Sequence, residues 1–135
     1  MSSEGRSWLL YLHDMLQALD RIRDKTAGTN FDTFAQSQDS IEIVAWNFHV
    51  LGEASTHIPN AVVEAHPEIP WADIRTMRNR LVHGYVDLNP KILWDTALVD
   101  LPPLRELLME LALEAEGSGE EEAQSGYGDV AQPQN

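Results

Sequence analysis

The chain has 135 residues, 43% of them hydrophobic, and a formal net charge of −13. That length suits one domain with a core of its own, and the acidity excludes the broad basic face of a tight duplex binder. With no cysteine present, disulfides, thiol nucleophiles and thiolate metal sites are excluded, and a reducing cytoplasmic setting is expected.

No apolar stretch is long enough to span a membrane. The opening "MSSEGRSWLLYLHDML" breaks its apolar run at His13 and Asp14 and shows no signal-peptide cleavage pattern. Residues 8–25 read as an amphipathic helix, because Trp8, Leu12, Met15, Leu19 and Ile22 recur at spacings of four and three. Gly28-Thr29-Asn30 ends it in a turn. "FDTFAQS" reads as a short helical turn begun by Asp32. Asp39 or Ser40 is the expected cap of a long helix reaching about His57, with Ile41, Val44, Ala45, Phe48 and Leu51 as its core stripe.

Pro59 suits the start of a short helix running to about His66, and Pro70 the first turn of the next. In that next helix Ile74, Met77 and Leu81 face the core, and Gly84 is a good stop. Asn89-Pro90 is a cap followed by a first-position proline. The helix it starts carries Ile92, Leu93, Ala97 and Leu98, and Pro102-Pro103 must break or kink it before a last helical piece to about Ala115. Nothing alternates as strands do. The expectation is an all-α bundle of four or five main helices, a domain over 1–116, and an acidic disordered tail over 117–135.

The chemistry concentrates in "RNRLVHGY", Arg78 to Tyr85. Arg75, Arg78 and Arg80 form the densest basic cluster in an acidic chain. A guanidinium is a planar fork of donors that matches phosphate oxygens. An imidazole both gives and takes protons near neutrality, and His83 would sit at a helix C-terminus, where the dipole favours its charged form. Asn79 lies four residues before His83, on the same face. Taken alone, such an arginine and histidine are ordinary: a solvated side chain and a dipole partner. Positions five apart on a helix also point about 140° from each other. Arg78 and His83 converge only if the helix unwinds at His83-Gly84, or if two copies pair about a two-fold axis and share one cleft.

Two other groupings carry weight. His49, Glu53 and His57 share one face of the long helix and could hold a metal, but the string lacks the His-Glu-x-x-His form, and a polar face or an interface is the stronger reading. Trp8, Trp46, Trp71 and Trp94 are spread over four segments, which favours core packing over base stacking.

Arg78-x4-His83-x-Tyr85 resembles the Arg-x4-6-His signature of the HEPN superfamily, and with its tyrosine it resembles the HepT-like toxins of prokaryotic toxin–antitoxin pairs. The likeness extends to "HPEIPWADIRTMRNRLVHGY", to "LGEA" at Leu51–Ala54, to "ILWDTALVDLPPL" and to the opening "WLLYLHDMLQALDRI". It covers about 8–113. Trp46, just before Asn47, stands where that family would lead one to expect a basic residue. The resemblance implies a HEPN-type bundle that dimerises through its motif helix. It implies the toxin of a type VII-like module, a cytoplasmic endoribonuclease needing no metal or other cofactor, with mRNA or tRNA as substrate. Arg78 and His83 would be catalytic, with Asn79, Arg75 and Arg80 in supporting phosphate contacts. Tyr85 would accept AMP from a cognate minimal nucleotidyltransferase antitoxin. The alternative is a non-catalytic helical subunit that docks or presents substrates to such a transferase.

Overall fold

A computed structural model describes residues 7–78 and 89–127, with side chains described as far as 117. Every regular element among them is helical. In chain order these are α1 (Trp8–Thr26), α2 (Phe31–Ala35), α3 (Gln38–Ser55), α4 (Asn60–Ala65), α5 (Trp71–Thr76), α6 (Pro90–Asp95), a π-helical turn (Thr96–Asp100) and α7 (Leu101–Tyr127). The expected all-α bundle is what forms.

The two long N-terminal helices make the main pairing. Leu12, Met15, Leu19 and Ile22 of α1 are buried, as their spacing demands, against a buried stripe of Ile41, Val44, Ala45, Phe48 and Leu51 on α3. Each of these side chains larger than alanine contributes about 1.5–3 kcal/mol by leaving water. Trp8 packs only partly against the core. Ser7 caps α1 by accepting from the Leu9 amide at 3.1 Å. Thr26 closes it by donating its buried hydroxyl to the Ile22 carbonyl at 3.0 Å, and Gly28 takes the left-handed conformation (φ +79°) that turns the chain away.

Two caps differ from expectation. Asn30, not Asp32, starts α2, its side chain accepting from the Thr33 amide at 2.8 Å. Ser37, not Asp39 or Ser40, starts α3, its hydroxyl oxygen accepting from the Ser40 amide at 3.2 Å. Asp39 instead lies inside the first turn, where its charge suits the helix dipole. The short α2 then docks on α6 through aromatic contacts: Phe34 and Phe31 meet Trp94 at centroid distances of 5.4 and 6.0 Å.

Asn89 caps α6 as expected, accepting from Lys91 and Ile92 amides, with Pro90 in the first turn. Pro102-Pro103 does not interrupt the helical path. The π turn just before the prolines absorbs them: the Leu101 amide reaches back to the Thr96 carbonyl, and the wider turn relieves the ring's clash with the preceding turn. Asp20 of α1 and Arg105 of α7 lock the two helices together at 2.7 Å. This hydrogen bond holds the Asp20 carboxyl below its ordinary range and raises Arg105.

The last helix, α7, continues to Tyr127. Two of its acidic side chains reach the body: His13 Nε2 lies 2.7 Å from Glu116 and His66 Nε2 lies 3.4 Å from Glu114. No described helix is long and apolar enough to cross a membrane.

Candidate active site around Arg78

The connection into α5 is set by its own sequence. His66 and Ile69 close a turn through a 3.1 Å backbone bond, and the Trp71 indole N–H donates to the His66 carbonyl at 3.0 Å. Ile69, Trp71, Ile74 and Met77 are buried, so α5 is pressed against α3. It ends at Thr76, and a turn over Met77 and Arg78 follows.

Gly52 is why the turn can lie where it does. A Cβ there would stand 2.5 Å from the Arg78 amide nitrogen and 2.9 Å from the Ile74 carbonyl oxygen. Only glycine permits this approach. On either side of Gly52, α3 holds Arg78 by polar contacts. The His49 ring donates from Nδ1 to the Arg78 carbonyl at 3.0 Å; a carbonyl only accepts, so Nδ1 carries the proton. The Arg78 guanidinium reaches Glu53 Oε1 at 3.4 Å.

Arg78 nevertheless keeps 44% of its side chain exposed. Its backbone is fixed, its charge is aimed by one carboxylate, and donors remain for a phosphate. Arg75, one turn earlier, is half-buried and makes no ion pair among the described residues. Asn79, Arg80, His83 and Tyr85, with the expected core position Leu81 and stop at Gly84, lie outside the described residues.

The polar stripe on α3 meets Arg78. His49 and Glu53 both contact it, and the His57 ring stacks on Tyr11 at 4.2 Å and 11°. Among the described residues no three metal-ligating side chains gather to hold an ion. Of the four tryptophans, Trp71 and Trp94 are in the core, as expected, but Trp46 is 54% exposed and lies against the His49 ring at 5.3 Å. Position 46 falls outside the Ile41–Val44–Ala45–Phe48–Leu51 stripe, which was the available signal. The support that His49 and Gly52 give Arg78 was missed by sequence reasoning, because it depends on which turn of α3 meets α5.

Residues 15–111 match the family described as "Ribonuclease HepT-like". The chain is 35% identical over 100 residues to a protein of Thermococcus cleftensis named "Probable ribonuclease HepT", covering 74% of this chain and 91% of that one. It is 29% identical to a protein of Caldanaerobacter subterraneus subsp. tengcongensis named as a candidate RNase, covering 75% and 90%. A Methanocaldococcus jannaschii protein, also named as a candidate RNase, is 28% identical, covering 82% and 91%. No solved structure gives a significant match.

Proposed function

The chain belongs to the HepT-like ribonuclease family, and from that premise we propose that it is the toxin of a two-gene module, a cytoplasmic endoribonuclease with a composite Arg78/His83 site at a homodimer cleft. That it is a ribonuclease follows from membership. The finer reading rests on one observation: α3 fixes the Arg78 backbone through His49 and the Gly52 approach while its guanidinium stays half open to solvent.

A phosphodiester at that guanidinium would be cleaved by its own ribose. The 2′-OH attacks phosphorus, the P–O5′ bond breaks, and the products are a 2′,3′-cyclic phosphate and a 5′-OH. One His83 imidazole takes the 2′-OH proton and the partner's imidazole protonates the leaving oxygen, help worth about 10²–10⁴-fold. Arg78 steadies the extra charge on the phosphorane-like transition state. Asn79, Arg75 and Arg80 add phosphate contacts. No metal is needed for these steps, and DNA lacks the attacking hydroxyl.

Tyr85 is the silencing point in this reading. A cognate minimal nucleotidyltransferase antitoxin adds AMP to its hydroxyl, and the added phosphate and bulk repel or exclude RNA beside the cleft. The test is induced expression. Wild type arrests growth, and Arg78→Ala or His83→Ala relieves the arrest; equal toxicity of the His83→Ala protein rejects the assigned mechanism.

A further inference from the structure

Trp46 is a large aromatic side chain left 54% exposed on the helix that holds Arg78. It is seated on the His49 ring, with centroids 5.3 Å apart and planes at 31°. His49 in turn holds the Arg78 carbonyl. Trp46, His49 and Glu53 follow one another at i, i+3 and i+7 on α3, so Trp46 lies about 10 Å along the axis from the level where Glu53 meets the guanidinium. That is within reach of a nucleotide next to a phosphate held by Arg78.

The hollow beside Trp46 is lined by Asp39, Glu42, Ile43 and Asn47. Asn47 is 3% exposed, and its amide donates to the Ile43 carbonyl at 2.8 Å. Its Oδ1 has no hydrogen-bond partner among the described residues. A buried acceptor without a donor is costly and calls for one. The two carboxylates reject a phosphate here, whereas a flat base with an amino group covers the ring and, with a turn of the buried Asn47 amide toward the hollow, donates to its Oδ1.

We propose that Trp46, seated on His49 and backed by Asn47 Oδ1, is a nucleobase subsite that stacks a base of single-stranded RNA flanking the phosphate at Arg78 and favours the amino-bearing bases adenine, cytosine and guanine over uracil. Uracil sets its one ring donor between two carbonyl oxygens, which would face Asn47 Oδ1 and the carboxylates. The proposal rests on the ribonuclease reading for the phosphate at Arg78. It assigns the subsite a role in substrate choice, not in bond cleavage.

The test uses fluorescein-labelled 2′-O-methyl oligonucleotides of about six residues, a length that fits a local ssRNA site. They lack the attacking hydroxyl, so binding is read without cleavage. Oligo-A and oligo-C bind about fivefold tighter than oligo-U to wild type, the scale of one added hydrogen bond. Trp46→Ala binds oligo-A about tenfold more weakly, and Trp46→Phe recovers most of the loss. Asn47→Leu, checked for folding by circular dichroism, keeps the stack and loses the preference for A and C over U. Equal oligo-A affinity in Trp46→Ala and wild type overturns the subsite. So does a Trp46→Ala protein that falls from dimer to monomer by light scattering with binding per subunit unchanged, since a second copy would then cover the face. A wild type that cleaves RNA while Trp46→Ala binds equally well sinks the subsite alone; a wild type that neither binds nor cleaves RNA sinks the ribonuclease reading as well.

Discussion

Gly52 of α3 and Arg78 at the end of α5 touch backbone to backbone, so closely that a methyl group on Gly52 would sit 2.5 Å from the Arg78 nitrogen. The contact links the fold to the chemistry. Buried Ile74 and Met77 bring α5 onto α3, and the missing side chain at 52 sets how near the guanidinium's backbone comes to its supports at His49 and Glu53.

Gly52→Ala is therefore expected to destabilise the protein. Helix propensity alone would favour alanine by about 1 kcal/mol. The clash is with main-chain atoms that cannot rotate away, so the net loss is about 1–3 kcal/mol. Thermal melting reads this as a clear fall in Tm, and RNA cleavage falls further than the folded fraction does, because Arg78 is displaced. An unchanged Tm with unchanged cleavage would remove the Gly52 contact from the account.

Glu53→Gln separates aim from stability. The Arg78–Glu53 pair is exposed on both sides, 44% and 50%, so its loss changes stability by under about 1 kcal/mol. The variant also removes a negative charge that competes with RNA phosphate. Both KM and kcat are expected to fall, the first from the relieved competition and the second from the lost aim. Steady-state cleavage at fixed salt measures both, and an unaltered kcat would show that Glu53 does not orient the guanidinium.

The Asp20–Arg105 clamp gives a pH dependence of known sign. The Arg105 hydrogen bond depresses the Asp20 carboxyl, so the folded state binds that proton less readily than the unfolded state. The clamp's contribution is complete above the ordinary carboxylate pKa of about 4 and is lost as pH falls through the depressed value. Because Asp20 is 40% exposed, the contribution is under about 1 kcal/mol. Asp20→Asn should lower Tm slightly at pH 7 and converge with wild type near the bottom of the acid range. A Tm gap that widened with acid would reverse the assignment.

Tyr85 can be examined by mass. Incubation with ATP and the product of an adjacent nucleotidyltransferase gene is expected to add one or more AMP units to wild type and none to Tyr85→Phe. No gain on wild type, or an equal gain on the phenylalanine variant, would place the modification elsewhere or nowhere.

The long elements were legible in the sequence for a physical reason. The 3.6-residue period of α1 and α3 is the imprint of a face that must be buried, and Asn89-Pro90 satisfies two rules of helix initiation at once. The caps of α2 and α3 were less legible because several capping-competent residues stand together, Asn30 with Asp32 and Ser37 with Asp39 and Ser40; the choice depends on where the loop arrives. The π turn was hidden behind the prolines it accommodates. Arg78 stood out in the sequence as a candidate phosphate ligand, but the contacts that hold it did not. His49 read as part of a polar helix face or an interface, and only the packing of α5 on α3 turns it into a backbone clamp.

The most direct test of the central claim is RNA cleavage in excess EDTA by purified wild type, Arg78→Ala and His83→Ala, with the product ends identified. Wild type is expected to cut RNA without divalent metal and to leave 2′,3′-cyclic phosphate ends, and each variant to be slower by about 10²-fold or more while its mass in solution matches wild type. Cleavage that stops in EDTA, or a His83→Ala protein as fast as wild type, would contradict that claim.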